Sequence, residues 1–337
     1  MKKIILFFVL CFFIVGCKKI DDNDLIKEIE SKINSSKNYK IIATLDIFRN
    51  EDKYSYDIES IYKQNDCFKV KLINKQNNHE QIIMKDESYV YVLTPSLNKI
   101  FKFQSEWPYN NSQIYLLQPI IKDIKTDKNK IFEIVENGYI ITSKVNYSNE
   151  KDFQKQKVYF DKEKNITKIE VLDDKNSVKM SLNIISVEHN IKLDEEDFNI
   201  SKYQSNVSDD KNEGLENENE TSTQSSKISE ILYPMYVPQN TYLLAQDVIN
   251  TDSGERVILT FSGDSKFTFI QENTLNIEEQ KYINGEPYLI LDTVGTITDS
   301  SVTWISNGVE YSVISDTLSV DELLTVAQSI KVEPIMK

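Results

Sequence analysis

Cys17 is the residue whose type and setting imply chemistry most directly. It closes Ile14-Val15-Gly16-Cys17, at the end of an apolar stretch (residues 4–15) that follows Lys2 and Lys3. A basic start, a short apolar core and a small residue before the cut are the features of a secretory signal. The stretch is about a dozen residues, about 18 Å as helix, and falls short of a bilayer core of about 30 Å. Residues 1–16 therefore read as a removable signal, and Gly16-Cys17 as its cleavage point. A thiol there is a nucleophile held at a processing site.

Elsewhere the types that do chemistry are scattered. His79, beside Asn77-Asn78 in a turn, and His189, at a strand end, read as surface residues. No Cys/His cluster has the spacing of a transition-metal site. Glu195-Glu196 and Glu278-Glu279 are adjacent in sequence rather than convergent, as on a solvated face. With 8 glycines in all, no phosphate-cradling loop is present. Asp252-Ser253-Gly254 and Gly263-Asp264-Ser265 read as turns, not as elbows presenting a nucleophile. Cys11 leaves with the signal, and Cys67, in the alternating stretch Asp66-Cys67-Phe68-Lys69-Val70, reads as a small buried hydrophobe. The expectation is a protein without catalytic residues, metal or cofactor.

The tetrapeptide ending at Cys17 resembles the lipobox of bacterial lipoproteins. That resemblance implies a diacylglyceryl group on the Cys17 thiol, cleavage before it, and anchoring to the outer face of the cytoplasmic membrane. Two or more acyl chains hold stably where one is marginal. Abundant Lys, Asn and Ile beside few arginines (Arg49 and Arg256) fit a low-GC Gram-positive genome.

Charge divides the rest. Residues 18–203 carry 30 Lys/Arg against 31 Asp/Glu, whereas residues 231–337 carry 5 against 15. The acidic second part argues against nucleic acid and against docking on anionic headgroups. Between them, residues 204–230 are almost devoid of apolar side chains and read as an acidic disordered linker. Residues 17–23 form a lipidated tether.

Leu25, Ile29 and Ile33 recur at helical spacing behind Asp21, Asp22 and Asp24. From residue 39 to 191 the pattern is strands separated by turn clusters: 39–48, 54–64, 68–73, 81–85, 89–94, 99–104, 131–135, 139–147, 156–161, 166–172 and 177–188. Such a succession reads as an antiparallel meander. Residues 108–125 interrupt it with a helix, or two short ones broken near Pro119. After the linker come strands at 242–250, 256–261, 266–271, 286–291, 301–306 and 309–314. Asn307-Gly308 is a hairpin turn, and a last helix opens at Ser319 with Glu322 completing a capping box. The fold class is α+β, mostly antiparallel β, with domains at 24–203 and 231–337.

Aromatics crowd residues 89–115. Alternation places Tyr89 and Tyr91 together on one face and Phe101 and Phe103 together on the next strand. With Trp107 and Tyr115 they form a candidate groove for an acyl chain or a partner segment. Ordinary core under a covering helix is the competing reading.

The leading helix, strand 68–73, the pair Tyr89-Val90-Tyr91-Val92 and Lys99-Ile100-Phe101-Lys102-Phe103, and the closing Leu193-Asp194-Glu195-Glu196-Asp197-Phe198 resemble the LolA-like lipoprotein-sorting fold. That implies an open half-barrel with covering helices. Among lipidated members the region looks most like germination lipoproteins of the GerS type. This resemblance implies a role beside a cell-wall amidase in spore cortex modification, in the forespore or spore envelope. Residues 230–332, through Tyr233-Pro234, Val237-Pro238, Val302-Thr303-Trp304, Asn307-Gly308 and Tyr311, resemble a Firmicute domain of unknown function. The two-part layout is similar to that of envelope-stress regulators of the RseB type. A binding protein of the cell envelope is the leading expectation, with a lipid or lipoprotein carrier and an RseB-like sensor as alternatives.

Overall fold

The computed structural model describes residues 21–49, 52–109, 112–147, 152–204, 227–251, 253–274 and 279–331. Gly16, Cys17, the signal and most of the proposed linker lie outside the described residues.

Helix α1 (Asp22–Ser35) starts where the Asp21 carboxylate accepts from the Asp24 N–H, and it buries Leu25, Ile26, Ile29 and Ile33. Eleven strands follow: β1 (Asn38–Arg49), β2 (Asp52–Lys63), β3 (Cys67–Asn74), β4 (Glu80–Lys85), β5 (Val90–Thr94), β6 (Lys99–Phe103), β7 (Ile131–Val135), β8 (Gly138–Lys144), β9 (Lys155–Phe160), β10 (Ile166–Leu172) and β11 (Val178–His189). They pair antiparallel in the order β6-β5-β4-β3-β2-β1-β11-β10-β9-β8-β7. Chain neighbours are sheet neighbours except β6 and β7, which stand at opposite ends of this order, and β11 returns to lie along β1. The antiparallel meander is as the strand pattern predicts, and the half-barrel is the one that the LolA-like resemblance implies.

Helix α2 (Leu117–Thr126) lies on the same face as α1 and buries Leu117, Ile120, Ile121 and Ile124. The expected break at Pro119 is absent. Pro119 occupies the first turn, where a missing N–H costs no helical bond, and residues 112–116 stay non-helical. The Tyr39 hydroxyl accepts from the Leu117 N–H at 3.3 Å and donates to Gln118, so a buried core residue caps this helix start. A short helix α3 (Ser201–Gln204) ends the first part.

The second part contains β12 (Tyr233–Pro234), β13 (Thr241–Thr251), β14 (Gly254–Gly263), β15 (Phe267–Asn273), β16 (Glu279–Ile283), β17 (Glu286–Ile290), β18 (Thr293–Ile297), β19 (Ser301–Ser306), β20 (Val309–Ile314), α4 (Val320–Gln328) and β21 (Ile330–Lys331). Seven strands make a second sheet, β13-β14-β15-β20-β19-β18-β17. Asn307 and Gly308 both have positive φ, as the hairpin turn requires. Ser319 and Glu322 close the capping box of α4, whose Leu323, Leu324, Val326 and Ala327 are buried against Trp304, Phe269 and Val313.

Asp123 of α2 supplies a pH-dependent term. Its carboxylate accepts from Ser112 Oγ at 2.6 Å, and burial pushes its pKa up to about 6. A folded pKa above the unfolded value of about 3.9 means the contribution is greatest below about pH 4 and is lost as pH rises through about 6. Asp123→Asn is therefore expected to stabilise the protein by about 1–2 kcal/mol at pH 7.5 and by almost nothing at pH 4. Urea denaturation at the two pH values checks this, and an equal effect at both would contradict it.

Candidate functional site

The pairing of β5 with β6 decides which aromatics face inward. Val90 opposes Phe103, Val92 opposes Phe101 and Tyr91 opposes Lys102. Residues directly opposite share a face, so Phe101 and Phe103 enter the helix-covered core with Val90 and Val92. Tyr91 points the other way, and Tyr89 packs beside it. Both lie with Ile82, Met84, Leu93 and Ile100, under Ile200 and Tyr203. The Lys102 ammonium sits 3.6 Å from the Tyr89 ring centroid. This corrects the expectation of one interior shared by all four aromatics: the register is one residue out of the assumed phase.

Trp107 and Tyr115 do reach the interior, where they line an apolar cavity of about 80 Å³ with Leu45, Ile47, Leu72 and Met180. The second part closes one side of it with Pro287, Tyr288 and Leu289 of β17 and Val294 of β18, and Arg49 and Gln113 add polar groups to the wall. Val294 and Ile305 are buried in the same core cluster as Leu45 and Trp107. The second sheet thus packs one face on α4 and turns the other, at β18 and β19, onto the mouth of the half-barrel. Strand β16 continues the first sheet by pairing parallel with β6, from Glu279 opposite Lys99 to Ile283 opposite Phe103. The two parts share a sheet and a core.

A polar seam fixes this closure. Gln81 of β4 is 4% exposed. Its Nε2 donates to the Val294 carbonyl at 2.9 Å, and its Oε1 accepts from the Val294 N–H and from Thr293 Oγ1. The side-chain amide thus pairs with Val294 as a neighbouring strand would. Asn74 Nδ2 donates to the Asp292 carbonyl at 3.2 Å, and Tyr56 Oη to the Leu291 carbonyl at 3.5 Å. Ser105 donates to Glu286.

His79 belongs to this seam, which corrects its reading as a surface residue. Its Nε2 is buried without a hydrogen-bond partner. Burial lowers its pKa, opposed by the charge of Asp292. Asp292 is raised above its usual value, chiefly by burial. His189 ends β11 as expected, but it is half-buried and its Nδ1 lies 2.8 Å from Ser36 Oγ. Nothing in the local sequence around His79 signals its role, because the partner lies more than 200 residues away. Cys67 is buried in β3, and burial raises its thiol pKa. Among the described residues no group of three His, Cys, Asp or Glu is placed to hold a metal. No described helix is long and apolar enough to cross a membrane. What the arrangement offers is a small, mostly apolar interior and a large outer surface.

No family model matches the chain. Among solved structures, it is similar to a chain of the Pseudomonas aeruginosa MucA/MucB complex, with 10% identity, 92% of this chain and 99% of that chain covered, and a TM-score of 0.32. It is also similar to a chain of the complex of the CwlD amidase from Clostridioides difficile with the GerS lipoprotein, with 17% identity, 51% and 98% covered, and a TM-score of 0.32. Likenesses at that level carry no functional argument. The sporulation protein YdcC of Bacillus subtilis (strain 168) is 31% identical over 323 residues, covering 94% of this chain and 92% of the relative. With that identity over nearly the whole length of both proteins, the chain belongs to the sporulation protein YdcC family.

Proposed function

We propose that this protein is a lipid-anchored binding protein of sporulation, held outside the cytoplasm by Cys17 and acting by association with an envelope protein rather than by catalysis. The observation that carries the reading is the relation to a sporulation protein along 94% of the chain, which spans both parts and so concerns the assembled molecule. The geometry supports binding at an outer surface over carriage of a lipid. An acyl chain would need far more than the roughly 80 Å³ inside, and Tyr288 and Leu289 occupy the mouth that it would enter. The resemblance to germination lipoproteins makes a cell-wall amidase the first partner to test, with the spore envelope as the place.

The test compares sporulating with growing cells. The lipidated protein is expected to retain a cell-wall amidase or another envelope protein under mild crosslinking in sporulating cells. A strain lacking the chain is expected to form fewer heat-resistant, germination-competent spores. Normal spore yield and germination together with no enriched partner would reject the reading, and stoichiometric copurified lipid would replace it with the carrier.

A further inference from the structure

The two sheets have four edge strands, β16, β7, β13 and β17, and two of them, β16 and β17, stand at the junction of the two parts. Strand β16 lies along β6 as the last strand of the first sheet, and β17 sits over the mouth of the half-barrel. Strands β7 and β13 are the edge strands away from that junction. An open edge presents unpaired N–H and C=O groups at alternate residues, and proteins commonly protect it with Lys, Pro, an inward charge or short length.

Strand β13 has little of that protection. It is 11 residues long and contains no Lys, Arg or Pro. A register shift between Leu243 and Ala245 disturbs its start, but from Ala245 to Thr251 it pairs with β14 without interruption. Its apolar side chains are open on both faces: Val248 is 50% and Ile249 42% exposed, with Leu244 at 61%. The apolar surface continues onto the segment beside it. Tyr233 Oη donates to Gln246 Oε1 at 2.7 Å, and Met235 and Tyr236 are exposed. Edge β7, by contrast, has five residues and stands between Lys130 and Glu136, with Glu133 within it.

Charge says what kind of strand fits. The one charged residue on β13 is Asp247, and Glu255 faces Asn250 from β14. Arg256, opposite Ile249, is already held by Glu272 at 2.6 Å. The surrounding part carries 5 basic against 15 acidic residues. We propose that β13 is a docking edge for an extended, basic segment of a partner protein. That segment adds as an eighth strand, with its apolar residues on the Val248 face and Lys or Arg on the opposite face, which carries Asp247 and Ile249. A second copy of this chain fits worse, because it would bring two strongly acidic bodies together along edges whose single charges have the same sign. This assignment rests on the binding-protein reading above and narrows it to a surface and a partner chemistry.

The test uses the lipidated full-length protein in nonionic detergent and three fluorescent nonapeptides. One alternates lysine with valine, one alternates glutamate with valine, and the third is the lysine peptide with alternate amides N-methylated along one edge. The lysine peptide is expected to bind about tenfold or more tighter than either other peptide. It should slow amide exchange across residues 245–251, and it should lose about tenfold in affinity on Val248→Lys/Ile249→Lys. Both positions are half exposed, so the double variant should keep its thermal midpoint, which is measured alongside. Absence of binding, equal binding of the glutamate or methylated peptide, or indifference to the double substitution would overturn the proposal. So would a dimer that the substitution dissolves, since the occupant would then be a second copy. A partner captured from sporulating cells equally well by the double variant would sink the edge assignment alone, whereas capture of none bears on the binding-protein reading.

Discussion

Replacing Gln81 by alanine is expected to cost about 3 kcal/mol or more and to loosen the second part from the first while leaving each sheet's own hairpins intact. The side chain is buried and makes three hydrogen bonds, one as donor and two as acceptor, all to Thr293 and Val294. Alanine leaves a hydroxyl, an N–H and a carbonyl without partners in a region where Val294 is 2% exposed. Each unsatisfied buried group costs about 1–3 kcal/mol, and water entering the space left by the amide recovers part of it. The loss is a large fraction of a typical domain stability of about 5–15 kcal/mol. Hydrogen exchange should lose protection first at β16 and β18, while β19 and β20 keep theirs. Gln76→Ala is the control: Gln76 donates to the Lys53 carbonyl at an exposed turn and should cost under about 1 kcal/mol. A Gln81→Ala loss no larger than that of the control would show that the seam does not hold the two parts together.

The contrast between this seam and the rest of the fold explains what could be read from sequence. Hairpins are local: alternation marks each strand, turn clusters separate them, and Asn307-Gly308 carries the φ signs of its turn in its own chemistry. Helix α4 is equally local, because Ser319 and Glu322 cap it from within one turn. The seam is not local. Strand β16 reads as a polar stretch, and its partner β6 lies about 180 residues earlier. Strand β18 follows β17 after two residues and contains Gly295, so Thr293-Val294-Gly295-Thr296-Ile297 looks like loop. Gly295 is there because a Cβ would stand 2.4 Å from the Thr303 carbonyl oxygen. The misplacement of Tyr89 and Tyr91 has the same origin. Composition fixes that each strand has two faces, but which face is inward depends on the register with β6, and Val90 and Val92 are small enough to leave the aromatic pair as the more conspicuous choice. Trp107 and Tyr115 were legible as interior residues because both side chains are large and apolar beside an amphipathic helix.

Cys17→Ala is expected to abolish acylation altogether, and the three cysteines make the result specific. Cys67 cannot substitute, since it is buried and burial keeps its thiol protonated, and reaction with lipid needs an accessible thiolate or thiol. Cys11 lies inside the apolar stretch that a signal peptidase would remove. Growth with labelled palmitate should therefore label the parent chain and Cys11→Ser equally and leave Cys17→Ala blank. Mass spectrometry should show a mature start at residue 17 carrying acyl mass in the parent, and an uncut start at residue 1 in Cys17→Ala, because cleavage awaits the lipid. The energetic stake is large. Each buried methylene contributes about 0.8 kcal/mol, so two chains of ordinary length on Cys17 would hold the protein at the membrane by well over about 10 kcal/mol. A chain processed to residue 17 without acyl mass would also leave the protein free of the surface, and a docking edge such as β13 would then meet its partner by diffusion in three dimensions. Tethering confines both to a layer a few protein diameters thick, which raises their effective concentration and lets a weak strand-to-strand contact suffice. Spores of the Cys17→Ala strain should accordingly be fewer or germinate less than those of the parent, although the uncut apolar stretch leaves the variant weakly held at the membrane. Full labelling of Cys17→Ala, or normal spores from an unacylated protein, would separate the function from the membrane.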